Sequence, residues 1–112
     1  MTTAAATIDR AGLAERERVV TLLRAREAEL RALGITRLRL FGSMARGEAG
    51  PESDVDLIAE IARGAKFSLI DLVGLQHDLG ELIGREVEIA TAAEKMRPRM
   101  RRRVDADAIE VF

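Results

Sequence analysis

The run DVDLIAEI at residues 54–61 constrains the fold of this chain more than any other stretch. Its alternation predicts a half-buried β-strand with Val55, Leu57, Ala59 and Ile61 on one face. Asp54 and Asp56 open the other face. Residues two apart in a strand point the same way, with Cα atoms roughly 6–7 Å apart, so the two carboxylates stand together and repel. As an ordinary surface feature, the pair is simply hydrated at the start of a strand. A hard divalent cation between the two would remove the conflict more directly. Magnesium takes oxygen ligands in octahedral geometry, often few carboxylates together with phosphate oxygens. Two carboxylates can also hold two ions that clamp the attacking and leaving oxygens of phosphoryl chemistry.

The flanking sequence supplies a sheet and its cover. ITRLRLF at 35–41 alternates in the same way, Leu38 and Leu40 against Arg37 and Arg39, and predicts a second strand. EVEIA at 86–90 predicts a third, with Val87 and Ile89 on one face and Glu86 and Glu88 on the other. Residues 13–33 place leucines and valines on one stripe between charges, the pattern of an amphipathic helix that Gly34 would stop. Residues 68–83 predict a helix capped by Ser68, with Asp71 three residues on. Pro98 can open a last helix over 98–103, and 107–111 can add an edge strand. Helices and strands in this order, with short connections, predict one α/β or α+β layer structure, and 112 residues suit a single domain spanning 1–112.

Between the first two strands lies GSMARGEAGPES, residues 42–53, with three glycines and a proline. Gly42 lets the backbone approach a ligand closely. Ser43 offers a hydroxyl, and the amides of a short helix beginning there would face a phosphate. Taken singly, Gly42-Ser43 is an ordinary strand-to-helix turn. Neighbouring strands lie about 4.8 Å apart, so a phosphate cradle and an acid pair would be brought together by this one connection. Arg46 either contacts a triphosphate or pairs on the surface with Glu48 or Glu52. Ser53 suits a hydrogen bond to a backbone amide that holds the turn before Asp54. His77, the one histidine, sits mid-helix and reads as a surface residue. Met44 reads as a packing residue of the turn.

Composition narrows the partners. Charge is uneven: residues 34–94 carry −5 and residues 95–112 carry +3, the latter from the arginine-rich KMRPRMRRR at 95–103. That cluster suits phosphates or an acidic partner, or else a solvated helix with Met96 and Met100 on its buried side. There is no Trp or Tyr and only 3 Phe, a poor set for stacking on bases, so direct nucleic-acid binding is not expected. Without cysteine there is no disulfide, thiolate metal site or thiol nucleophile. No apolar run approaches the roughly 20 residues that cross a bilayer, and the first residues lack a secretory pattern. The expected location is cytoplasmic, with no membrane association.

In combination, Gly42-Ser43, ten further residues and Asp54-Val55-Asp56 resemble the signature of the polymerase β-like nucleotidyltransferase superfamily. Ala45-Arg46-Gly47 and Ser53 within it resemble the minimal, MNT-type branch. The resemblance is close over about residues 35–62 and looser over the following helix, the Glu88 strand and the R-P-R-M-R stretch. It implies an α+β polymerase β-like fold, a small mixed sheet flanked by helices. In that family a third carboxylate on a nearby strand completes the metal site. Glu88 in Val87-Glu88-Ile89 matches it best, with Glu in place of the usual Asp, and Glu86 competes on the same face. The resemblance therefore implies catalytic and Mg²⁺-holding roles for Asp54, Asp56 and Glu88, and nucleotide contacts from Gly42, Ser43, Arg46 and Ser53, with ATP as substrate.

The same resemblance points to the antitoxins of HEPN–MNT type VII toxin–antitoxin pairs. These transfer AMP from ATP to a tyrosine hydroxyl of the HEPN toxin, an RNase, and so silence it. The expected function is a protein adenylyltransferase whose partners are ATP and a HEPN toxin. Two other readings stand beside it. One is a non-catalytic module that neutralises the toxin by contact. The other is a small-molecule nucleotidyltransferase, whose usual additional helical domain has no counterpart in this sequence.

Overall fold

A computed structural model of the chain describes residues 3–91 and 97–112. In chain order the elements are α1 (Thr3–Arg24), α2 (Glu27–Ala32), β1 (Ile35–Phe41), α3 (Gly42–Ala45), β2 (Val55–Ile61), α4 (Leu69–Ile83), β3 (Val87–Ala90), α5 (Pro98–Asp107) and β4 (Ile109–Glu110). The strands form one mixed sheet in the order β3-β2-β1-β4. β1 pairs antiparallel with β2 and β4, whereas β2 and β3 run parallel because α4 carries the chain back between them.

Alternation in β1 and β2 sorts the two faces of the sheet as expected. Leu38, Leu40, Val55, Leu57 and Ala59 join Ile89 in a core closed by Val19, Val20 and Leu23 of α1, Leu30 of α2, and Leu75, Leu79 and Ile83 of α4. The opposite face carries Arg37 and Arg39 of β1 and Asp56 of β2. α5 reaches this face, where Asp105 pairs with Arg39 at 3.1 Å. Ile58 and Val104 are buried outside the main core, so β2 is apolar on both sides at its centre. α4 is fixed by its ends: Ser68 and Asp71 form a reciprocal capping box, and Gly84 closes the helix in the left-handed conformation.

Several boundaries differ from the sequence expectation, among them β3, which begins at Val87, and β4, which is confined to Ile109–Glu110. The first helix begins at Thr3 instead of residue 13, and it bends at Ala25–Arg26, so 13–33 is two helices. No Gly or Pro marks that bend. It coincides with tertiary bonds at its edge, where Arg24 donates to the carbonyls of Val111 and Glu110, so long-range contacts override local helix preference there. β2 begins at Val55, which leaves Asp54 just ahead of it. The last helix runs on to Asp107. Its arginines 101–103 are exposed. Lys95 and Met96 of the basic cluster and the side chain of Met100 lie outside the described residues.

Candidate active site

Strand register assembles the acidic site. The parallel pairing sets Asp56 directly opposite Glu88, and the antiparallel pairing sets Asp56 opposite Phe41, next to Gly42. Asp54 and Glu88 are exposed and Asp56 is half-buried. Burial, and then the charges of Glu88 and Asp54, push the Asp56 carboxyl above the usual carboxylate range. Among the described residues, none of the ion pairs engages these three acids. The register also separates the two glutamates. Glu86 falls before β3, and its carbonyl accepts from the Val55 N–H at 2.8 Å, whereas Glu88 is the one whose charge bears on Asp56.

The donor set is all oxygen, crowded and without a cationic partner among the described residues, which fits a hard divalent cation. The acids neighbour Asp56 without closing on one point: among the described residues no three such side chains stand at metal-ligating distances.

The Gly42–Gly47 turn abuts this cluster. Gly42 takes φ +78°, and a Cβ there would lie 2.9 Å from Asp56 Oδ2. Only glycine lets the chain turn so close to the carboxylate. Ser43 follows in the first turn of α3, half-buried, and its carbonyl accepts from the Glu48 N–H. Met44, wholly buried as expected, and Ala45 anchor the turn in the core. α1 holds it from outside: Arg16 donates to the Ala45 carbonyl at 3.2 Å, and Gly12 packs against the Gly47 carbonyl with no room for a side chain.

The later half of this connection, residues 48–53, is held by a residue the sequence did not single out. Ser53 Oγ accepts from the Gly50 N–H at 2.8 Å, the turn-holding role expected of it. Arg85, only 13% exposed, donates through Nη1 to the carbonyls of Gly50 (2.9 Å) and Ser53 (2.7 Å). Its Nε donates to Glu15 of α1 at 2.7 Å. One guanidinium thus ties α1 and the end of α4 to the backbone immediately before Asp54. Gln76 of α4 similarly accepts the Ile89 N–H at 2.8 Å, steadying β3 beside Glu88.

Arg46 adopts the surface reading: it pairs with Glu48 at 2.8 Å and Asp107 at 3.3 Å, not with Glu52. It borders a hollow of about 470 Å³ with Phe41, Gly42 and Arg103. A larger cleft, about 710 Å³, opens on the other side of the site. Asp54, Glu86 and Glu88 form one wall, and Val73, Gln76, His77, Gly80 and Glu81 of α4 form the other. His77 is exposed on that rim, with Nε2 3.6 Å from Glu81. No helix among the described residues is long and apolar enough to cross a membrane.

Residues 22–111 match the nucleotidyltransferase domain family. MJ0435 of Methanocaldococcus jannaschii, provisionally assigned as a protein adenylyltransferase, is 37% identical over 79 residues, 70% of this chain and 82% of its own. The protein adenylyltransferase MntA of Thermococcus cleftensis is 34% identical over 74 residues, 65% of this chain and 73% of its own. A solved structure described as a minimal nucleotidyltransferase superposes with a TM-score of 0.60 at 36% identity, over 86% of this chain and 88% of that one. The MNT antitoxin in complex with a tri-AMPylated HEPN toxin of Shewanella oneidensis shares the fold, with a TM-score of 0.55 at 14% identity over 90% and 71% of the two chains.

Proposed function

This chain belongs to the nucleotidyltransferase domain family and is a nucleotidyltransferase; on that premise we propose that it is an antitoxin that transfers AMP from ATP to a tyrosine hydroxyl of a HEPN RNase toxin in the cytoplasm. The observation that carries this reading is the position of Asp56, set between the Gly42 backbone just after β1 and Glu88 on β3. A turn suited to phosphates and an acid cluster suited to a hard cation therefore meet at one residue. The protein adenylyltransferase names of its relatives support a protein as acceptor, and the HEPN toxin complex of a distant structural relative supports the class of partner.

Asp54, Asp56 and Glu88 are the residues that would hold Mg²⁺. When bound, the ion supplies charge neutralisation on the triphosphate and Lewis acidity at the transferred phosphoryl group. The protein's own part is positioning. Gly42, Ser43 and the first amides of α3 hold the phosphates, and Arg85 and Ser53 fix the backbone before Asp54. Glu88, exposed at the cleft, takes the proton of the acceptor hydroxyl. The tyrosine oxygen forms a bond to the α-phosphorus, the bond to the β-phosphate oxygen breaks, and pyrophosphate leaves. Arg46, engaged with Glu48 and Asp107, reaches a phosphate only by leaving those pairs.

Purified chain, Mg²⁺, ATP labelled in the α-phosphate and a HEPN toxin from the same genome test the proposal. Label is expected on the toxin and absent with Asp54→Ala/Asp56→Ala. The longer side chain of Glu88 in the third acidic position favours one second reading, neutralisation by contact. Full neutralisation by the double variant, with no label from the wild type, would establish that reading instead.

A further inference from the structure

The most exposed large apolar side chains described in the chain gather on the first two turns of α4: Leu69 (74% exposed), Ile70 (83%) and Val73 (57%). Spacings of three and four put Ile70, Val73, Gly74 and His77 on one face of the helix. Gly74 has no internal reason to be glycine. Its φ is not positive, and a Cβ there would stand in open space. Glycine in a helix interior is destabilising, so a bare notch beside three exposed hydrophobic residues fits the close approach of another chain.

Two observations identify the occupant. Val73 belongs both to this patch and to the wall of the cleft that contains Asp54 and Glu88, so the patch continues into the site. The surroundings are acidic: Asp54, Glu81, Glu86 and Glu88 line the cleft. The cleft's one arginine, Arg85, is engaged with Glu15 and two carbonyls. We propose that the Leu69–Ile70–Val73–Gly74 face of α4 docks the acceptor protein, seating an apolar segment of it that is flanked by lysine or arginine. This inference rests on the reading above, that the acceptor is a protein.

Ile70→Glu and Gly74→Gln test it, with the HEPN toxin of the same genome as acceptor. Both variants are expected to raise the KM for toxin by roughly tenfold or more, with kcat at saturating toxin and the uptake of Mg-ATP in calorimetry unchanged. Gly74→Gln is expected to melt above the wild type, an outcome opposite in sign to a folding defect. Higher salt should weaken wild-type binding to toxin. Wild-type KM in both variants overturns the proposal. So does an Ile70→Glu variant that dissolves a dimer of this chain while toxin labelling continues, since the occupant is then a second copy. A wild type that binds toxin through Ile70 without labelling it preserves the docking face and removes the transferase reading. A wild type that neither binds nor labels toxin overturns both.

Discussion

Gly42 and Asp56 touch across the β1–β2 pairing: a side-chain carbon on Gly42 would sit 2.9 Å from Asp56 Oδ2, at a φ of +78°. The backbone of the turn and the carboxylate therefore set each other's position. Gly42→Ala would strain the backbone by about 1–2 kcal/mol and displace the carboxylate as well. A melting temperature lower by about 4 °C per kcal/mol lost is expected. AMP transfer should fall by about a hundredfold, because positional errors of this size weigh heavily on catalysis. Scanning calorimetry and a labelling assay check the two outcomes separately.

Asp56 is an acid that the fold holds at a cost. Burial comes first among the causes, followed by Glu88 and Asp54, and all raise its pKa above the ordinary 3.8. A raised value in the folded state means that the associated stability is present below the ordinary value and lost as pH rises through the raised one. At neutral pH the metal-free protein bears that cost. Asp56→Asn is therefore expected to melt higher than the wild type in chelator at pH 7, with the gap closing towards pH 4. Added Mg²⁺ should raise the wild-type melting temperature and leave the variant's unchanged, while the variant loses transfer by two or more orders of magnitude. A variant that melts lower in chelator would show that Asp56 is stabilising.

Arg85 is expected to couple stability to activity. Its side chain bonds Glu15 and the carbonyls of Gly50 and Ser53. Arg85→Ala leaves the two carbonyls without a charged donor and Glu15 with Arg18 as its remaining one, at a cost of about 2 kcal/mol. Arg85→Lys keeps the charge but not the planar fork. Urea unfolding of the lysine variant should show a smaller loss than the alanine variant. Its kcat should still drop at least tenfold with little change in the KM for toxin, because the Asp54 backbone is no longer held.

These relationships differ in how visible they are in the sequence. The alternation ITRLRLF predicts β1 to the residue, and Ser68 with Asp71 predicts the start of α4, because both signals are local. The acid pair and the Gly42-Ser43 turn are legible for the same reason. Strand alternation alone puts Glu88 and Glu86 on one face, so only the family resemblance prefers Glu88; the parallel register that α4 imposes, which sets Glu88 opposite Asp56, is not visible in the sequence. Arg85 is invisible because its partners lie 32, 35 and 70 residues away, and two are backbone carbonyls. The bend at Ala25–Arg26 carries no breaker residue and follows contacts with the far end of the chain.

Glu15 gives the acid limb of stability. Hydrogen bonding from Arg18, opposed by burial and reinforced by Arg85, lowers its pKa from 4.5 to about 2. With a lowered folded-state value, the contribution is present above 4.5 and is lost as pH falls from there towards 2. Glu15→Gln should therefore flatten the pH dependence of unfolding within that window and have its largest effect at neutral pH. Chemical denaturation of both proteins between pH 2 and 6, on the order of one unit apart, measures the slope directly. Equal slopes would mean that the ion pairs persist in the unfolded chain or contribute nothing.

Gly12 and Gly74 both interrupt helices with glycine and should respond to alanine with opposite signs. At Gly12 a side chain would run into the Gly47 carbonyl, and Leu13 of the same helix would crowd a side chain on Gly47. Relief requires α1 to lift from the turn, which also lengthens the Arg16 bond to the Ala45 carbonyl. Gly12→Ala is expected to cost about 1–3 kcal/mol despite alanine's better helix propensity, as other overpacked sites do. It should lower AMP transfer as well, because the turn it disturbs holds Gly42 and Ser43. At Gly74 the space is open, so Gly74→Ala should gain up to about 1 kcal/mol from propensity alone. Urea unfolding of the two variants side by side tests the seating of α1. A Gly12→Ala variant as stable as the Gly74→Ala one would show that α1 does not clamp the turn.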